Sequence, residues 1–174
     1  DTPGLTLVRP LSTFGYDDAP IGHAELIFEN CRVPAENVLL GEGRGFEIAQ
    51  GRLGPGRMHH CMRLIGTGQR ALELACKRAT SRTTFGRSLS KHQSVREDIS
   101  RMFSEIEMAR LLVLKTSHKI DEQGVPASID MIAAAKTTIP LLMQNVIDRA
   151  MQMHGAGGLT ADYCMAEGYN YARW

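Results

Sequence analysis

The apolar residues of this chain change their spacing near residue 46, which predicts two kinds of structure. Before that point they alternate with polar residues, over residues 5–8 and again over residues 23–30. Such alternation is typical of β-strands, and Pro10 is expected to end the first one. Because two strands alone form a sheet of marginal stability, we expect residues 1–42 either to be the end of the larger sheet of a β-domain or to pack on the helical part.

After residue 46 the spacing becomes that of helices, with apolar residues at alternating steps of four and three. Two long segments, residues 91–122 and 127–154, show it most clearly. Their stripes comprise Val95, Ile99, Met102, Ile106, Ala109 and Val113, then Ile139, Met143, Val146, Ala150 and Met153. Helices are also expected over residues 46–82 and after residue 162. The pattern predicts a mainly α fold, an antiparallel four-helix bundle over residues 43–174 whose last helix is truncated at Trp174.

Composition and charge exclude several classes of function. The 174 residues are 43% hydrophobic and 22% charged, and the net charge of +1 gives no basis for binding nucleic acid or an anionic membrane. No apolar run reaches the roughly 20 residues that span a membrane, so no stable membrane insertion is expected. The four cysteines are scattered and expected to be reduced and mostly buried. Adjacent His59 and His60 point in different directions on a helix, so no metal site is expected.

Glycine and proline interrupt the first helical segment. Gly51, Gly54, Pro55 and Gly56 lie where the flanking pattern favours a helix, although each interior glycine costs about 1 kcal/mol and proline about 3 kcal/mol relative to alanine. Two interpretations remain open. The backbone approaches a ligand here, or the segment is a break between two helices.

Two further motifs lie at helix ends. Arg82-Thr83-Thr84-Phe85-Gly86 precedes His92-Gln93, and Gln152 precedes three closely spaced glycines. Arginine binds phosphate oxygens through two parallel hydrogen bonds, and Thr84 and Gln93 offer further donors. The competing interpretation is that Arg82 complements a helix dipole and that the glycines stop a helix.

Taken together, these residues resemble the acyl-CoA dehydrogenase family over nearly the whole chain. Gly45-Phe46 is similar to the G-x-G-F opening of the family's C-terminal helical domain. The Arg82 motif is similar to its R-x-T-F-G motif, and His92-Gln93 to its H-Q pair. The segment from Gln152 resembles its Q-x-x-G-G-x-G motif, with Ala156 in place of one glycine. Residues 45–57 further resemble the branch that comprises family members 10 and 11.

The resemblance implies an FAD-dependent enzyme that desaturates the α,β-bond of fatty acyl-CoA thioesters. It implies a homotetramer, a dimer of dimers that shares FAD across subunits, with an electron-transfer flavoprotein as the electron acceptor. The residues expected to reach the FAD of a partner subunit are Arg82, Thr84, His92, Gln152, Gly155 and Ala156. Those expected to line the acyl-CoA site are Gly54, Pro55, Gly56 and Arg57.

The resemblance assigns no catalytic residue within the chain. Some relatives place the catalytic glutamate at the position of Gly56, which has no side chain. We therefore expect a catalytic carboxylate about five residues beyond Trp174, by the family's spacing, and we expect this fragment to be inactive alone. Cys164 and Asn170-Tyr171 also depart from the family's common residues.

Two alternatives stay open at this stage. One is an acyl-CoA oxidase of the same fold, and the other is a non-catalytic helical assembly module. The expected location is intracellular: the mitochondrial matrix or peroxisome in a eukaryote, and the cytoplasm in a bacterium.

Overall fold

The computed structural model describes residues 2–17, 20 and 22–173, which separate into a unit up to Ala49 and a unit from Gln50 onward. The described residues form four α-helices, which confirm the predicted mainly α fold: α1 (Gly45–Ser81), α2 (Gln93–Ala127), α3 (Ile129–His154) and α4 (Met165–Arg173). The expected continuation of the last helix through Trp174 lies outside the described residues. The boundary between residues 42 and 43 stays a prediction.

The N-terminal unit contains an antiparallel hairpin of β1 (Leu5–Leu11) and β2 (His23–Phe28). The prediction that Pro10 ends the first strand is wrong, because Pro10 lies inside β1 and pairs with Ala24. A proline lacks the backbone N–H, so a strand tolerates it at an edge, where that donor is not needed.

The core of the helical unit is built from the two predicted stripes, which are confirmed. Their central residues on α2 and α3 are at most 3% exposed, and Ile99 and Met153 pack against them while partly buried. Helix α1 adds a third buried face. Its largest fully buried side chains are Cys61, Leu64 and Ile65. Burying each such side chain contributes about 1.5–3 kcal/mol, which stabilises the bundle far more than helix propensity does.

Helix α1 continues through the glycine- and proline-containing segment. The interpretation of residues 51–57 as a break between two helices is therefore wrong. The face that carries Gly54, Met58 and Cys61 is buried, and this packing outweighs the unfavourable propensities of the segment.

The three long helices lie side by side and alternate in direction. At mid-length, a Cβ built on Gly68 of α1 would lie 2.6 Å from Met143 Sδ of α3 and 3.8 Å from Ile106 Cγ1 of α2. Nearer the start of α1, Gly54 lies against Val125, close to the end of α2. Between α2 and α3, Lys119 Nζ contacts Asp130 Oδ1 at 2.9 Å, and Glu105 Oε2 contacts Arg149 Nη1 at 2.6 Å. The end of α1, the start of α2 and the end of α3 therefore lie at one end of the bundle. We call this the hairpin end and define it by residues 82–92 and 152–158.

Candidate functional site

A tight hairpin at the hairpin end holds the first predicted motif. Strands β3 (Thr83–Thr84) and β4 (Arg87–Ser88) pair antiparallel and are joined by Phe85 and Gly86. The φ angles of these two residues are 52° and 76°. Positive φ at both central residues is typical of a type I′ turn, the tight turn that favours β-hairpins. From the sequence, this motif lies at a helix end, and the paired strands are not predicted.

Hydrogen bonds fix this hairpin to α1. The Ser88 hydroxyl donates to the Ala79 carbonyl oxygen at 2.8 Å, and the Leu89 N–H donates to the Arg82 carbonyl oxygen at 2.9 Å. The residue Arg82 itself is exposed, and its guanidinium makes no hydrogen bond or ion pair with any residue that the structure describes. Its backbone is thus held while its charge stays available to a ligand.

His92, immediately before α2, has one ring nitrogen paired and the other unpaired. Nδ1 lies 3.2 Å from Nη2 of Arg87. Nε2 is buried and has no hydrogen-bond partner in the described part of the chain. Since an unpaired buried polar group costs about 1–3 kcal/mol, this nitrogen favours a partner beyond the described residues, such as water or a bound group.

The glycines after α3 divide into two kinds. A Cβ on Gly158 would lie 2.6 Å from the Met151 carbonyl oxygen, and one on Gly157 would lie 3.3 Å from the Tyr163 ring. Close packing within the chain therefore requires Gly158 and favours Gly157, with no need of a ligand. Gly155 differs, because its φ is 62° and a Cβ there would meet nothing within 4 Å. Gln152, Gly155 and Ala156 are all exposed at the hairpin end.

Within the same segment, His154 has a structural role. It is 5% exposed, its Nδ1 lies 2.8 Å from the Ala150 carbonyl oxygen, and its ring packs edge-on against Tyr163 at 4.6 Å. The structure thus brings all six residues predicted to reach the flavin to one end of the bundle. Their individual roles stay predictions.

The second predicted group lies toward the other end of α1. Arg57 and Arg82 are 25 positions apart, which corresponds to about 37 Å along a helix. Pro55 contributes to a cavity of about 320 Å³ between α1 and α2. The other lining residues are Met58, His59, Met62, Val113, Ser117, Ile120 and Asp121. A Cβ on Gly56 would meet only the mobile end of the Arg52 side chain, 2.7 Å from its Nη1.

Packing alone accounts for Gly54, since a Cβ there would lie 2.6 Å from Val125 Cγ1. We expect Gly54→Ala to lower the free energy of unfolding by up to about 2 kcal/mol. Overpacking costs about 1–3 kcal/mol, and the better helix propensity of alanine offsets about 1 kcal/mol of it. Urea unfolding of Gly54→Ala and of Gly54→Ala/Val125→Ala measures this, and the double variant is expected to unfold less easily than the single one. Equal instability of both would show that Val125 is not the reason for the glycine.

Positive charge surrounds this end of α1. Burial first, then the charges of Lys136 and Arg63, lower the pKa of His60 to about 4. Burial also lowers the pKa of Lys136, and the neighbouring Arg57 lowers it further. The His60 ring lies 5.5 Å from Tyr171 of α4. The charges of Arg57, Arg63 and Lys136 thus act on this part of the bundle, whereas Asp121 adds a carboxylate to the neighbouring cavity.

The lowered pKa of His60 predicts a pH effect on stability. Between pH 6.5 and about pH 4 the unfolded chain binds more protons at this residue than the folded chain does, so stability falls as the pH drops through that window. We expect a loss of about 1 kcal/mol between pH 7 and pH 5, after halving for the solvent contact of the ring. Thermal unfolding at both pH values should show a smaller difference for His60→Gln. An identical difference in wild type and variant would contradict the assignment.

Other kinds of site receive no support within the described ranges. No group of three or more His, Cys, Asp or Glu residues there could hold a metal ion. No helix formed by residues 2–17, 20 and 22–173 is long and apolar enough to cross a membrane. All four cysteines are unpaired, and only Cys61 is buried, so the prediction that most are buried is wrong.

Comparison with known proteins agrees with this arrangement. A family model described as the C-terminal domain of acyl-CoA dehydrogenase matches residues 43–174. Acyl-CoA dehydrogenase family member 10 of Mus musculus is 54% identical over 173 residues, covering 99% of this chain and 16% of that relative. Among solved structures, a Mycobacterium abscessus protein assigned to the acyl-CoA dehydrogenases has a TM-score of 0.94 at 46% identity, covering 99% of this chain and 42% of its own.

Butyryl-CoA dehydrogenase of Megasphaera elsdenii has a TM-score of 0.87 at 32% identity, covering 99% of this chain and 44% of its own. The chain spans less than half the length of each of these three relatives. The fold, the motifs and these matches agree, and the chain belongs to the acyl-CoA dehydrogenase family, carrying that family's C-terminal domain.

Proposed function

We propose that the whole protein is an FAD-dependent acyl-CoA dehydrogenase that desaturates the α,β-bond of acyl-CoA thioesters. The observation that carries the proposal is the hairpin end. There, the Arg82 guanidinium and the buried His92 Nε2, neither of which has a polar partner among the described residues, belong to one short connection between α1 and α2. A ligand rich in oxygen atoms, such as the diphosphate and sugar portions of FAD, fits both.

The remaining residues of this end fit the same group. Arg82 would hold the diphosphate, which a guanidinium can do through two parallel N–H donors, and the Thr84 hydroxyl and Gln152 amide would donate to neighbouring oxygens. The bare backbone at Gly155 and the small side chain of Ala156 leave space for close approach. When bound, FAD accepts the hydride that leaves the β-carbon of the thioester.

The distance along α1 supports a flavin shared between subunits. Arg57 lies about 37 Å from Arg82 along the helix, yet the flavin ring and the diphosphate of FAD are joined by a ribityl chain of only five carbons. With the thioester beside Arg57 reacting at the flavin ring, one chain cannot place Arg57 at the ring and Arg82 at the diphosphate of the same FAD. We assign the flavin residues of one copy to the substrate site of another, in a homotetramer that is a dimer of dimers.

At the substrate end, the chain's own residues bind and polarise the thioester. The positive surroundings of Arg57 and Lys136 stabilise negative charge that develops on the thioester oxygen as the α-proton leaves. None of the four proposed substrate-binding residues is a carboxylate, so the proposal assigns the base to another part of the protein. An electron-transfer flavoprotein then receives the electrons.

The proposal is tested with the purified full-length protein. We expect a flavin absorption spectrum that bleaches when saturated acyl-CoA is added without oxygen, with enoyl-CoA as the product. Turnover should require electron-transfer flavoprotein. Rapid peroxide formation in air without it would instead establish the oxidase, and a full-length protein that takes up no flavin would establish a non-catalytic module.

A further inference from the structure

We infer that Arg87 is a positioning residue of the flavin site. Its guanidinium keeps His92 in the tautomer whose proton is on Nε2, so that this nitrogen donates a hydrogen bond to an oxygen of FAD. The inference rests on the proposed function. It adds a residue to which the sequence motifs assign no role.

The tautomer follows from the chemistry of the two side chains. Nη2 of Arg87 lies 3.2 Å from Nδ1 of His92. A guanidinium has five N–H donors and no acceptor, and it stays charged in proteins. Nδ1 must therefore accept this hydrogen bond through its lone pair, which a neutral imidazole can do only when the proton is on Nε2.

The hairpin explains why Arg87 can reach His92. Arg87 pairs with Thr84 across β3 and β4, directly after the turn at Phe85 and Gly86. The segment that follows is also fixed, because Nε of Arg96 donates to the Ser90 carbonyl oxygen at 2.7 Å. The two side chains thus meet within a rigid connection rather than on a free loop.

The nature of the missing partner follows from the tautomer. Nε2 is buried without a partner among the described residues, and as an N–H it is a donor. Its complement must therefore be an acceptor, and FAD offers phosphate, hydroxyl and carbonyl oxygens. The rival explanation is that Arg87 contacts the diphosphate itself, as proposed for Arg82, in which case His92 would be irrelevant to its effect.

A double-mutant cycle in the full-length protein separates these explanations. The dissociation constant of FAD is measured on the flavin-free protein by flavin fluorescence. The variants of the cycle are Arg87→Ala, Arg87→Lys, His92→Gln and Arg87→Ala/His92→Gln, and Arg82→Ala and His92→Ala test the flavin site itself. Glutamine carries an amide N–H₂ near the position of Nε2 and has no tautomer to lose. Arg101→Ala is the matched control, since Arg101 is exposed on α2 and has no described polar partner.

We expect Arg87→Ala to weaken FAD binding about five- to tenfold, the effect of one hydrogen bond. Arg87→Lys should recover most of the affinity, because an ammonium group also only donates. In the His92→Gln protein, adding Arg87→Ala should change the dissociation constant less than about twofold. Nitrogen-15 spectra of histidine-labelled protein should show Nε2 of His92 protonated in wild type and a mixture of tautomers in Arg87→Ala.

Two results would overturn the inference. One is an equal loss of affinity from Arg87→Ala in both backgrounds, which would mean that Arg87 contacts FAD independently of His92. The other is an unchanged affinity together with an unchanged tautomer.

If Arg82→Ala weakens binding while Arg87→Ala is silent, only this inference fails. If Arg82→Ala, His92→Ala and Arg87→Ala are all silent, the proposed flavin site itself fails. Melting temperatures of the flavin-free variants verify that each one folds.

Discussion

Replacing Arg82 by alanine is expected to raise the dissociation constant of FAD in the full-length protein about 10- to 150-fold. Hydrogen bonds to charged groups contribute about 1.5–3 kcal/mol, and each 1.4 kcal/mol is a factor of ten. The structure favours the upper part of this range. The backbone of Arg82 is fixed by its bonds to Arg78 and Leu89, so little ordering is needed when the phosphate binds.

Two further variants make this measurement specific. Arg82→Lys should bind FAD with intermediate affinity, because an ammonium group is a point charge that cannot form two parallel bonds. Arg101→Ala removes the same charge from an exposed position of α2 and should leave the affinity unchanged. If Arg82→Ala retains wild-type affinity, the residue only complements the dipole of α1, which is worth about 0.3–1 kcal/mol of stability.

The largest effect on stability is expected for Ile139→Ala, which should lower the free energy of unfolding by about 2–5 kcal/mol. Ile139 is 0% exposed in the centre of α3. Truncation removes buried apolar surface and leaves a cavity that the rigid neighbouring helices cannot fill. Urea unfolding followed by helical circular dichroism measures the change.

The adjacent Thr138 provides the control. It is exposed on the same helix, so Thr138→Ala should change the free energy of unfolding by at most about 0.5 kcal/mol. Similar values for the two variants would mean that the stripe of α3 is not the core of the assembled protein.

The helices α2 and α3 could be predicted from the sequence because their buried positions, such as Met143, hold apolar residues that recur at helical spacing. The helical structure of the segment around Gly54 and Pro55 could not be predicted in this way. Local propensity there disfavours a helix by a few kcal/mol, while the opposing contribution is the burial of this face against residues far away in the chain, such as Val125. Helix propensity depends on residues that are close in the chain, whereas packing depends on residues that are distant in it. The continuity of α1 could therefore be established only from the three-dimensional structure.

The site shows the same division. Motif spacing identified Arg82 and His92, but the pairing of Arg87 with His92 depends on a turn in which Phe85 adopts a positive φ, which a phenylalanine rarely does. Likewise, the sequence does not distinguish the roles of the two glycines Gly155 and Gly158. Only their neighbours show that Gly158 is required by Met151 whereas Gly155 faces open space.

The separation between the hairpin end and Arg57 has a genetic consequence. If two copies share each flavin, an allele damaged at Arg82 and an allele damaged at Arg57 harm different halves of the same site. Each mutant homo-oligomer would be inactive, whereas co-expression of the two alleles would assemble dimers in which one site combines two intact halves and the other combines two damaged ones. Such allele pairs should complement each other, and two different alleles of the same end should not.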